Sequence, residues 1–178
     1  MKINTPGKHI LDRAKVLSDA RVSGEAVVTG NARVSGEARV TGRAVVRGYA
    51  IVTGNARVTD SAVIEDAALV TNRALIGGKA VVGGKAIVED QVIVSENARV
   101  HGNARVSGDA VIGGNVFVDD NALVRGDARI EGDAIVGGKA IIKGNAVIGG
   151  TAEILGGVWD GSEGEITSGK WMAPGTPA

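Results

Sequence analysis

From Ile10 to Ile154 an aliphatic residue recurs at every sixth position without a slip, through Val16, Val22 and Val28 to Ile142 and Ile148. Two residues before each, from Ala14 to Ala152, stands Ala, replaced only at Val92 and Val116. Two residues after most of them stands Gly, as at Gly24, Gly30, Gly36 and Gly42; elsewhere Asp60, Asp66, Asn72, Asp90 and Asp120 take its place. These residue types accept a positive φ. Ser18 and Glu96 break that rule, and a strained or different turn is expected there. Side chains two apart on an extended chain share a face, so the Ala and the Val or Ile point inward together while their neighbours point outward. Each hexapeptide therefore predicts a short strand followed by a sharp corner. A helix is excluded, because a six-residue period does not hold one face of a 3.6-residue helix and Gly recurs too often. A meander of hairpins is disfavoured, because strands this short do not pair stably alone.

The pattern resembles the hexapeptide-repeat, left-handed parallel β-helix superfamily, over about four-fifths of the chain. The resemblance implies that three hexapeptides form one triangular coil, so that residues 18 apart stack, with small Ala and Val or Ile filling a narrow prism. The expected fold is all-β, with about eight coils at ~4.8 Å each and a length of about 40 Å. Uninterrupted NARVSG and EARVTG units also resemble uncharacterised bacterial and phage-borne arrays. Three segments are expected: an N-terminal cap at 1–9 with Pro6 and Gly7, the array at 10–156, and a segment at 157–178. The last carries Trp159, Ile166, Trp171 and Met172 and is too apolar for a free tail, so it should dock over the last coil or onto a neighbouring subunit. The terminal PGTPA is expected to be loose.

The 20 basic and 20 acidic residues balance to a net charge of +0, which argues against a nucleic-acid partner. Cysteine is absent and His9 and His101 are the only histidines, which excludes thiolate chemistry and a three-His metal site within one chain. No apolar run approaches the ~20 residues that span a bilayer, and MKINTPGKHI has no signal-peptide core. A cytoplasmic protein without a membrane partner is expected. Aromatics are 2% of the chain (Tyr49, Phe117, Trp159, Trp171), so the core must be thin and regular.

Stacking at 18 residues turns the outer surface into columns. One runs Val27, Val45, Val63, Val81, Arg99, Phe117, Ile135; another contains Arg33, Ile51, Leu69, Ile87, Arg105, Leu123 and Ile141. Such long apolar stripes on adjacent faces point to self-association, with Val27, Val45, Val63, Val81, Ile51, Leu69, Ile87, Trp159 and Trp171 as the interface residues. The family resemblance implies a homotrimer. A third column stacks Arg21, Arg39 and Arg57, like charges that form either an anion or acidic-partner site or, the favoured expectation, pairs with Asp19 and Glu37. His101 stands 18 residues before Asp119, and pairing would suit a general base, with Arg99 and Phe117 beside it.

Many superfamily members are trimeric acyltransferases that bind acyl-CoA between prisms and use a His base, commonly with loops interrupting the repeat. Here no insertion interrupts the array. The favoured expectation is therefore a non-catalytic homo-oligomer, a rigid structural or partner-binding module without metal or cofactor. Its grooves would hold a small anionic ligand or a protein partner, with Arg99, Phe117 and Arg105 as ligand contacts. The alternative is a CoA-dependent acyltransferase with acyl-CoA as co-substrate, His101 as base and Asp119 orienting it. The superfamily's carbonic anhydrases are excluded because their closely spaced His residues are missing. Ice binding is excluded because Thr29, Thr41, Thr53, Thr59 and Thr71 are scattered over different faces.

Overall fold

The computed structural model describes residues 10–173 and 176–177; the expected cap at 1–9 lies outside them. Twenty-four two-residue strands follow one another at six-residue intervals, from Lys15–Val16 to Glu153–Ile154. Through Ile135–Val136, each pairs in parallel with the strand eighteen residues later, as Lys15 with Arg33 and Val27 with Val45. Three sheets result, and they are the faces of a triangular prism. Face 1 begins at Lys15–Val16 and has nine strands, face 2 begins at Arg21–Val22 and has eight, and face 3 contains Val27–Val28 and has ten. The backbone of each coil donates upward to the next: Val27 N–H to Ala44 O, Thr29 N–H to Val46 O, Asn31 N–H to Gly48 O. This is the expected left-handed parallel β-helix. No helix among the described residues is long and apolar enough to cross a membrane.

The inward positions behave as their spacing requires. From Ala26 to Val118 every inward Ala, Val and Ile has no exposed surface, and no polar or charged side chain is buried among the described residues. Each fully buried Val or Ile contributes about 1.5–3 kcal/mol. A prism filled with aliphatic side chains leaves no interior room for chemistry, so any functional site must lie on its outer faces and edges.

Every corner uses the same left-handed residue. Besides the glycines, Asp12, Ser18, Asp60, Asp66, Asn72, Asp90, Glu96 and Asp120 have φ between 57° and 64°. Ser18 and Glu96 thus adopt the common turn and carry its strain, rather than turning differently. The acids at these corners act as clasps between coils. The carboxylates of Asp12, Asp60, Asp66, Asp90, Glu96 and Asp120 accept the N–H of the corner glycine one coil on, at 2.6–3.1 Å.

The C-terminal segment extends the prism instead of ending it. Val158–Trp159 pairs with Ile141–Ile142, Ile166 bridges to Ile148, and Lys170–Trp171 pairs with Glu153–Ile154. The offsets are seventeen, eighteen and seventeen residues, so about nine coils are present where eight were expected. Trp159 therefore takes an inward position, 1% exposed, with its Nε1–H donated to Gly156 O at 2.7 Å. Trp171 meets it edge-on, ring centroids 5.9 Å apart, and donates its own Nε1–H to Ser168 O. The two indoles close the apolar end of their own prism with both N–H groups satisfied. Trp159, enclosed by its own chain, therefore offers a neighbour nothing, which corrects its assignment to a subunit interface, whereas Trp171 keeps part of its surface exposed. Thr176–Pro177, part of the PGTPA end, pairs antiparallel with Lys170–Ala173. Residues 174, 175 and 178 lie outside the described residues.

Candidate functional site

The chemistry of the chain gathers at the edge where face 3 turns into face 1. At each coil this edge carries an outward residue directly after the strand of face 3. The column reads Thr29, Arg47, Glu65, Gly83, His101, Asp119. Gly83 is decisive. A Cβ there would lie 2.5 Å from Cε1 and 2.7 Å from Nε2 of His101, so the imidazole occupies the space a side chain would take. It points back over two coils, with Nε2 3.8 Å from Glu65 Oε1. Glu65 in turn accepts Arg47 Nε–H at 2.9 Å, and a second guanidinium nitrogen of Arg47 also contacts it.

The expected His101–Asp119 pair does not form. Asp119 Oδ1 accepts the N–H of Asp120 at 2.7 Å, which turns the carboxylate to its own backbone. His101 instead finds the gap on its other side. A search at eighteen residues missed Glu65, because the partner lies thirty-six residues away across a residue with no side chain. Gly83, where the outward column is empty, was the available signal.

The other candidates are placed as follows. The Arg99 guanidinium lies over the Phe117 ring, 5.6 Å from its centroid, a cation–π contact on an aromatic that stays exposed. Arg105 stands 3.9 Å from Glu89, so its charge has a partner. Val27, Val45, Val63 and Val81 form an unbroken half-buried stripe on face 3, and Ile51, Leu69 and Ile87 form another on face 1. Tyr49 lies on the edge between the stripes and is 69% exposed, an apolar anchor that the column reading overlooked. Arg21, Arg39 and Arg57 do stack in register, but among the described residues no carboxylate lies within 4.0 Å of any of them. The expected neutralisation by Asp19 and Glu37 is therefore absent. Both acids sit on the edge before face 2, exposed to water.

Three exposed carboxyls are held below the ordinary value of 3.8. The Thr29 hydroxyl and then the Gly30 N–H do this for Asp12, the Gly78 N–H and then the Thr59 hydroxyl for Asp60, and Ser162 for Asp160. Each stabilises the charged form by donating to it. No cluster of three or more metal-ligating side chains occurs among the described residues.

The family model described as YdcK beta solenoid repeat matches residues 98–114, the stretch from Ala98 to Gly114 that holds Arg99, His101 and Arg105. The three-sheet prism and its unbroken six-residue period fit a hexapeptide-repeat-like β-helix superfamily. The chain matches no curated protein and no solved structure. In this β-helix the matched hexapeptides contribute an outward Arg to face 3 (Arg99) and to face 1 (Arg105), and His101 to the edge between them.

Proposed function

We propose that the chain is a non-catalytic, self-associating β-helix, a rigid cytoplasmic module that presents binding surfaces. The observation that carries this reading is the pair of apolar stripes on faces 3 and 1, joined at their common edge by the exposed Tyr49. A single stripe of β-branched residues is ordinary in a sheet. Two adjacent ones flanking an exposed aromatic are what a homo-oligomer covers. A trimer with parallel prism axes brings face 3 of one copy to face 1 of the next, and small anions would enter the grooves near Arg99, Phe117 and Arg105. Val63→Lys combined with Leu69→Lys should give monomers by light scattering, with the β-sheet circular dichroism retained. An unchanged oligomer would remove these stripes as the contact surface.

A second reading rests on Arg47, Glu65 and His101. A carboxylate anchored by arginine lies 3.8 Å from the imidazole, where it would orient the ring of a general base. With Nε2 turned to Glu65, Nδ1 is the nitrogen left to act as base in a CoA-dependent acyl transfer. Thiol release from acetyl-CoA with amine and hydroxyl acceptors, lost in His101→Ala, would establish this reading. No release and no CoA binding by calorimetry would eliminate it.

A further inference from the structure

Face 2 carries a feature that neither self-association nor the His101 edge uses. Arg39 and Arg57 are in-register neighbours one strand apart, a like-charge pairing that is unfavourable in a sheet. Arg73 stands on the adjoining edge, one coil beyond Arg57. None of the three has a carboxylate within 4.0 Å among the described residues. Arg57 and Arg73 line an open depression of about 460 Å³ together with Asn55, Gln91, Leu75 and Ile93. Its composition is specific. Asn55, Arg73 and Gln91 line the depression from the edge column and Arg57, Leu75 and Ile93 from the face-2 column, with Ile93 37% exposed. Gln91 donates its amide N–H to Asp109 at 2.8 Å.

We infer that this depression binds an oxyanion attached to a flat hydrocarbon body, the anion between Arg57 and Arg73 and the body on Leu75 and Ile93. Guanidinium forks suit the paired oxygens of phosphate or carboxylate. An anion there would offset the Arg39–Arg57 repulsion, which no carboxylate within 4.0 Å offsets among the described residues. The site lies on face 2, away from the stripes, and does not depend on the oligomer.

Phenyl phosphate, benzoate, inorganic phosphate and phenol, titrated separately into the uniformly nitrogen-15-labelled protein, test the inference. Phenyl phosphate or benzoate should shift amides of residues 55–57, 73–75 and 91–93 and bind more tightly than phosphate or phenol. Which of the two binds better identifies the anion. Arg57→Gln and Arg73→Gln should each weaken binding at least about tenfold, as expected for losing one charge-assisted hydrogen bond. Arg129→Gln, on the same face but outside the depression, should leave it unchanged. Folding of the variants is checked by their thermal melts. No binding of phenyl phosphate or benzoate by wild type at millimolar concentration would overturn the inference, and so would equal binding by Arg57→Gln.

Discussion

Replacing Gly30 by Val, with Gly30→Asn as its control, isolates the physics of the corners. Gly30 has φ +70°, and a Cβ built on it lies 3.1 Å from both the N and the O of Gly48, one coil on. Two costs follow for valine. The left-handed conformation costs an L-residue about 1–2 kcal/mol, and a β-branched one more, up to about 3. The tight contact requires the next coil to give by a few tenths of an ångström, which moves the total toward the upper end. Asparagine meets the same contact but visits this conformation readily. Asp66 already holds φ 57° two coils along the same edge, so the edge accommodates such a side chain. At about 2–4 °C per kcal/mol for a chain of this size, Val should lower the melting temperature by roughly 4–10 °C and Asn by roughly 1–3 °C. Circular dichroism melts of the three proteins under one set of conditions decide the matter. Equal losses for Val and Asn would refute the corner assignment.

Asp60→Ala removes the acceptor for Gly78 N–H, and the loss should depend on pH. Asp60 is depressed below 3.8 in the folded state, so its contribution is full above that value and disappears as pH falls through the lower, folded one. Urea midpoints of wild type and Asp60→Ala should therefore differ at neutral pH and converge in strong acid; a constant difference would contradict the clasp. Gly83→Ala should change stability by no more than about 0.5 kcal/mol yet displace the His101 ring, visible as shifted imidazole proton resonances. Unshifted resonances would show that the ring does not cover Gly83. Trp159→Ala should destabilise by about 3–5 kcal/mol through the lost end plug. A melting temperature equal to wild type would place Trp159 outside the core.

The prism was legible because its determinants are local and repeated. Ala and Val two apart, with Gly or Asp two further on, define strand, inward face and corner within a single hexapeptide, and period eighteen gives the register. What was not legible depends on exceptions to the period. The ninth coil uses seventeen-residue offsets at Trp159 and Trp171, so an exact period stops at Ile154 although the structure continues. The His101 partner was misread for a related reason. Column arithmetic gives neighbours but not the direction a side chain leans, and His101 leans toward the vacancy at Gly83 rather than toward Asp119. The arginines of face 2 show the same limit. Asp19 precedes Arg21 by two residues, and Glu37 likewise precedes Arg39, yet each lies around an edge from the strand that holds its expected partner.

Native mass spectrometry of the protein purified from cells tests self-association through faces 3 and 1 most directly. The account predicts a single species at three times 17.9 kDa, which Val63→Lys with Leu69→Lys converts to 17.9 kDa. A wild-type spectrum containing only the 17.9 kDa chain at micromolar concentration would contradict it.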